Sequence, residues 1–199
     1  MFAVFATVLC LVSVSRSAPL ACENLVRPLE RLDPLHLEGR WTLVAGSLND
    51  SADAATLKGR DSVTIDFNNS TYTQVNRVGD KCDYDLLNIT FEGHIMSLQT
   101  RNYNFSGTFF QTSCPDCAVL SLDVKSQSFK SVDLYLFSRR REVKPKEMED
   151  FRAQVECLNM PAPVVMDPTK ELCPEQVHNT DDASQSASRR CFLNNLQCK

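Results

Sequence analysis
Between residues 39 and 138, apolar and polar positions alternate in short runs rich in β-branched and aromatic residues. No run keeps the three-and-four spacing of a helix. The pattern predicts eight strands, over 40–48, 62–67, 72–78, 82–91, 94–101, 105–112, 118–125 and 132–138. Between them stand residues that accept tight or positive-φ geometry: Asn68-Asn69-Ser70, Gly79-Asp80, Glu92-Gly93, Pro115-Asp116 and 126–128. Links this short predict an antiparallel meander. From Pro145 the period changes, because Met148, Phe151, Val155 and Leu158 recur at steps of three and four. One helix is expected there, with its stripe against the outside of the sheet and Pro161 and Pro163 ending it. The predicted class is therefore all-β, an eight-stranded antiparallel up-and-down barrel with one C-terminal α-helix packed outside. Such a barrel either fills with side chains or holds one small ligand.

The ends add a compartment. Residues 2–14 are apolar, and Ser15 and Ser17 follow with the spacing a signal peptidase reads, so 1–17 is expected to be a signal peptide and the mature chain to begin at Ala18. The run is too short for a membrane span. Residues 18–174 are expected to form one barrel domain, and 175–199 a flexible polar tail with a Cys-closed loop. The formal charge is −4, and losing Arg16 with the leader makes it one unit more negative. That argues against nucleic acid or anionic membrane as a partner. Cys10 leaves with the leader, and an even set remains: Cys22, Cys82, Cys114, Cys117, Cys157, Cys173, Cys191 and Cys198. Such a set reads as a disulfide framework in an oxidising compartment, although eight cysteines permit about 105 pairings. Asn49, Asn68, Asn69, Asn88 and Asn104 each begin an Asn-x-Ser/Thr acceptor, which suits a secreted, extracellular glycoprotein of the kind found in blood plasma.

The only Trp, Trp41, stands two positions after Gly39 at the start of the first strand. Cys22-Glu23-Asn24-Leu25-Val26 lies upstream, Lys81-Cys82-Asp83-Tyr84 downstream, and Val155-Glu156-Cys157-Leu158 ends the helix. Together these resemble the lipocalin family, and within it the alpha-1-acid glycoprotein branch with its fish carriers of tributyltin, saxitoxin and tetrodotoxin. The resemblance implies that Trp41 closes the barrel floor and that Arg139 or Arg140 packs over it. It also implies that Asp123 occupies the family's second motif after the seventh strand. It implies the pairs Cys22–Cys157 and Cys82–Cys173; the pattern has no counterpart for the other four, which are expected as Cys114–Cys117 and Cys191–Cys198. A register taken from the family turns Leu43, Val63, Ile65, Phe67, Tyr72, Gln74, Ser97, Gln99, Arg101, Leu120, Leu122, Tyr135 and Phe137 toward the lumen, with Val132, Leu134 and Leu136 facing the helix. The fourth strand fits less well: inward alternation from Tyr84 and Leu86 would bury Asn88, so either a bulge shifts the strand or that acceptor is silent.

An apolar lumen with a few polar points suits a small hydrophobic or amphipathic ligand. Where the acid glycoproteins carry charge, this chain places Gln74, Val78 and Ser97, and few acids are expected to point inward. That favours an organotin over a guanidinium toxin, with Tyr72, Tyr135, Phe137 and His94 as contacts. His94 is expected near the barrel rim. His36 and His178 show no ligand spacing, and no metal site or cofactor is expected. Cys114-Pro115-Asp116-Cys117 has Cys-x-x-Cys spacing, but a turn between two strands is a place for a structural bridge. No nucleophile, base and orienting group converge, so an enzyme is not expected. The rival to a monomeric carrier is an acute-phase immunomodulatory glycoprotein acting through its surface and glycans.

Overall fold
The computed structural model describes residues 22–100 and 103–175. The expected signal peptide and nearly all of the polar tail, and with them Arg101, His178, Cys191 and Cys198, lie outside the described residues. Two short helical turns, α1 (Cys22–Leu25) and α2 (Pro34–Leu37), lead into β1 (Gly39–Leu48). After α3 (Ser51–Lys58) the chain runs through β2 (Ser62–Asn68), β3 (Thr71–Val78), β4 (Lys81–Glu92), β5 (Ile95–Gln99), β6 (Asn104–Phe110), β7 (Cys117–Lys125) and β8 (Lys130–Ser138). Then come α4 (Pro145–Cys157) and a short β9 (Val164–Val165). Each of β1 to β8 pairs antiparallel with the next, and β8 returns to β1, which closes the barrel.

β1 serves three neighbours. Gly39 to Thr42 pair with β2, Thr42 to Leu48 pair with β8 across an irregularity between Leu43 and Ala45, and Ala45 and Gly46 accept β9 on the edge that β2 has left. Tight hairpins need left-handed residues, which Asn69, Gly79 and Gly93 supply at φ 56°, 58° and 64°. The hairpins at Asn69 and Gly93 lie at the Trp41 end, and those at Gly79 and Ser126–Phe129 lie at the opposite, open end.

Two apolar clusters share the barrel wall. The inner one holds Trp41, Leu43, Val63, Ile65, Phe67, Tyr72, Met96, Leu120, Leu122 and Phe137. The outer one places Phe151 and Val155 of α4 on Val44, Ala45, Val119, Leu134 and Leu136, each core side chain contributing about 1.5–3 kcal/mol on burial. Pro145 opens α4, and the Lys144 N–H donates to Glu147 Oε2 at 2.7 Å. Asn159, at φ 51°, turns the chain away after it. Cys22–Cys157 anchors α4 to the N-terminal segment, Cys82–Cys173 ties the C-terminal segment to β4, and Cys114–Cys117 closes the β6–β7 link.

At the closed end the Arg139 guanidinium lies 3.8 Å from the Trp41 ring centroid. It donates to the carbonyls of His36, Glu38 and Arg40, and Trp41 Nε1 donates to Leu37 O at 2.7 Å. Gly39, at φ 84°, is required here, because a Cβ would stand 3.3 Å from Arg139 Nη1. Arg140 does something else: it pairs with Asp116 and Glu147, binding the β6–β7 link to α4. Asp123 departs from expectation, since it lies within β7 opposite Val132, toward the open end, whereas Asp116, in the β6–β7 link, lies at the Trp41 end.

Candidate functional site
The barrel encloses a cavity of about 260 Å³. Leu43, Val63, Leu87, Met96, Leu98, Leu120, Leu122 and Phe137 form its apolar wall, and Leu48, Thr56 and Leu57 line it from the mouth side. Asp50 caps α3, accepting from the N–H groups of Ala52 and Asp53 at 2.8 and 3.0 Å. That fixes a helix with one buried residue, Leu57, over the opening. Two glycines make room for this packing. A Cβ at Gly46 would meet Leu57 Cδ2 at 2.9 Å and Tyr135 Cδ1 at 3.1 Å, and one at Gly107 would meet Leu120 Cδ1 at 2.9 Å.

Of the residues expected in the lumen, Leu43, Val63, Tyr72, Gln74, Leu120, Leu122, Tyr135 and Phe137 line the cavity. Ile65 and Phe67 do not line it, although both are buried in the same inner cluster as Trp41. Ser97 and Gln99 are on the outer face. Paired residues of a hairpin share a face, and the inner pairs are Ile89 with Leu98, both buried, and partly buried Phe91 with buried Met96. β5 thus turns Met96 and Leu98 in and leaves Ser97 beside Thr90 and Ser106. β4 is likewise one residue out of the expected register and has no bulge: Leu87 and Ile89 face inward, Asp83 lines the cavity from the exposed mouth, and Leu86 and Asn88 are exposed on the other face. Val78 lines the cavity mouth, and His94 sits in the β4–β5 turn at the Trp41 end rather than at the rim. Asn49, Asn68, Asn69, Asn88 and Asn104 are all exposed.

The polar part of the lumen is larger than expected, and its charged groups are mostly acidic. Asp53, Asp83 and Asp133 line the cavity together with Arg60. Asp85 follows Asp83 on the inner side of β4, opposite Gln74. On β3 the Tyr72 hydroxyl donates to Gln74 Oε1 at 2.9 Å, and Gln74 Nε2 donates to Asn76 Oδ1 at 3.1 Å. That ladder ends open: Asn76 Nδ2 and Asp85 Oδ2 are buried with no hydrogen-bond partner among the described residues. On β8, Asp133 accepts from Ser131 Oγ at 3.2 Å and from the Tyr135 hydroxyl at 3.1 Å.

Burial dominates the electrostatics. It pushes the Asp133 carboxyl up to about 6 against the hydrogen bonds from Tyr135 and Ser131. It pushes Asp85 up to about 6 as well, helped by repulsion from Asp83 and opposed by Arg60. Burial also raises Asp53 and lowers Arg60. Tyr72 and Tyr135 are raised by burial and stay neutral hydroxyls at neutral pH.

Cys114, Asp116 and Cys117 stand close enough together to suggest a metal cluster, but the two sulfurs are bonded to each other. Among the described residues, no helix is long and apolar enough to cross a membrane.

Parity would have found three of the missed acids, Asp133, Asp83 and Asp85. Asp133 shares a face with Tyr135 and Phe137, and an exposed Asn88 requires Asp83, Asp85, Leu87 and Ile89 to face inward. Arg60 and Asp53 sit on the β1–β2 connection, where alternation gives no signal.

No protein-family model matches the sequence, and no curated protein matches it. Among solved structures, the solution NMR structure of lipocalin 12 from rat epididymis is similar to this chain at 13% sequence identity. The TM-score is 0.63, over 75% of this chain and 93% of that one. At that identity the likeness is one of fold. The chain is a closed eight-stranded antiparallel barrel with a C-terminal helix outside, the lipocalin fold.

Proposed function
We propose that the protein is a secreted, N-glycosylated carrier that holds one small amphipathic molecule inside the barrel. The observation that carries this is the enclosed cavity itself: apolar side chains supply burial, and a few convergent polar groups fix orientation. The inward acids widen the expected ligand class from an organotin to cations more generally. A head group bearing positive charge, beside apolar arms, meets Asp83, Asp85, Asp133 and the rings of Tyr72 and Tyr135, whereas a purely hydrocarbon ligand leaves those groups unused. Both ligand types suggested by the acid-glycoprotein resemblance fit this description, tributyltin as a cation with three apolar arms and the guanidinium toxins as compact cations. Leu43, Leu120, Leu122 and Phe137 would receive the arms.

Displacement of a lumen-bound fluorescent fatty-acid probe, with quenching of Trp41, tests this when titrated with tributyltin, tetrodotoxin, saxitoxin and retinol. Saturable displacement at one site per chain is expected from a cationic ligand, and Tyr135→Ala and Phe137→Ala should weaken it about tenfold or more. Absence of uptake both of this probe and of a neutral alcohol analogue of it would sink the carrier reading. It would favour the surface-acting glycoprotein, which the five exposed acceptor asparagines support.

A further inference from the structure
The lumen contains a cation that the chain itself supplies. Arg60 lines the cavity with Asp53, Asp83, Asp133, Tyr72 and Tyr135. Its guanidinium is near enough to Tyr135, Asp85, Tyr72 and Asp53 for each to act on its charge, so it is a partnered group. The backbone on either side is pinned. The Arg60 N–H donates to Leu57 O at 3.1 Å, and the Asp61 N–H donates to Arg77 O at 2.8 Å. The Asp61 carboxylate accepts from the Gly79 N–H at 2.6 Å and pairs with Lys170 at 3.3 Å. The side chain is therefore the part that can change place. It stands just past α3 at the mouth, and its length can carry the charged head out to water.

Asn76 makes this more than a cluster of acids. It is 1% exposed, lines the cavity and leaves Nδ2 without a partner among the described residues. With the unpartnered Asp85 Oδ2 on the neighbouring strand, the wall offers one open donor and one open acceptor to a bound head group.

We propose that Arg60 sets the charge specificity of the lumen. Its guanidinium holds the carboxylate and tyrosine site of the empty barrel, and a positively charged ligand head takes that place as the Arg60 side chain swings to the mouth. The inference rests on the carrier reading and deepens it. A bare cation must compete with a tethered one, whereas a cationic ligand that also carries apolar arms and a hydrogen-bond acceptor for Asn76 Nδ2 gains contacts that Arg60 does not make. An anion meets Arg60 and the open Asn76 Nδ2 as favourable partners and is repelled by the carboxylates around them.

The test uses the full chain and three fluorescent probes with the same dansyl-alkyl arm, ending in an ammonium, a carboxylate or an alcohol. Arg60→Gln should tighten the ammonium probe about tenfold, or about 1.4 kcal/mol, and weaken the carboxylate probe by a similar factor. The alcohol probe should shift by less than about twofold, and Arg60→Lys should keep the wild-type preference. Asp85→Asn should move the charged probes the opposite way and serves if the Gln variant does not fold. An ammonium affinity that is unchanged or weaker in Arg60→Gln overturns the proposal while leaving the carrier intact. Failure of the alcohol probe to enter the wild type overturns the carrier reading and this inference with it.

Discussion

Asp133 shows what one buried carboxyl does to the molecule. Its folded-state value of about 6 stands above its ordinary 3.8. Across that interval the folded protein keeps a proton that the unfolded chain has released. This carboxyl's contribution to stability is complete below the lower value and is lost as pH rises through the upper one. Asp133→Asn keeps an acceptor for the Tyr135 hydroxyl and removes the charge. Chemical denaturation of both proteins should give matching stabilities near pH 4, with the variant ahead by about 1–3 kcal/mol at pH 7.5, at about 1.4 kcal/mol per unit. A difference that did not change with pH would contradict the assignment. Subtracting the two curves cancels the opposite slopes from Asp116, Glu147 and Asp150, whose carboxyls are held low mainly by hydrogen bonds. A protein that retains a destabilising carboxyl in its cavity has a use for the charge there.

Among the elements, the wall between the two clusters separates stability from binding. Phe151 is buried under α4 on the outer side, away from the lumen. Phe151→Ala should cost about 3–5 kcal/mol, seen as a lower denaturation midpoint, while probe affinity at low denaturant stays within about twofold. A proportionate loss of affinity would mean that the two faces of the sheet are coupled. This level is also where the sequence was most and least informative. All eight strands were legible because period-2 alternation and turn residues bracket each one, and α4 was legible from its stripe. The registers of β4 and β5 were not. A one-residue shift in β5 exchanges Met96 and Leu98 for Ser97 and Gln99, and the family register was taken over the apolarity of the residues themselves. α3 has no apolar stripe to mark it, since only Leu57 on it is buried, and Asn49-Asp50-Ser51 reads as a glycan acceptor although Asp50 is the helix cap. The acids of the lumen were hidden for a related reason: charged residues inside a barrel go against the general rule of burial.

For the molecule as a whole, the C-terminal segment acts as a strap. It crosses the outer side of β2 and β3, where Ser62 Oγ donates to Glu171 O at 2.8 Å and Arg77 Nη1 to Leu172 O at 3.2 Å. Cys82–Cys173 fixes its end across 91 residues of sequence. A loop of that length corresponds to about 4–5 kcal/mol in the chain-entropy account. β9 is the start of this strap, and it lies along the part of β1 that β2 does not reach. A strand edge left bare there would present unpaired N–H and C=O groups to any other chain, so two residues of β9 work as a guard against self-association. The Met166 N–H donates to Val44 O at 2.9 Å just beyond it. Met166→Pro removes that bond while leaving every cysteine in place, and light scattering of the variant, warmed to a temperature below its unfolding midpoint, should rise with protein concentration while the wild type stays clear. On this account a protease cut between α4 and β9 would loosen that guard and turn the barrel into a seed for polymer, without unfolding it.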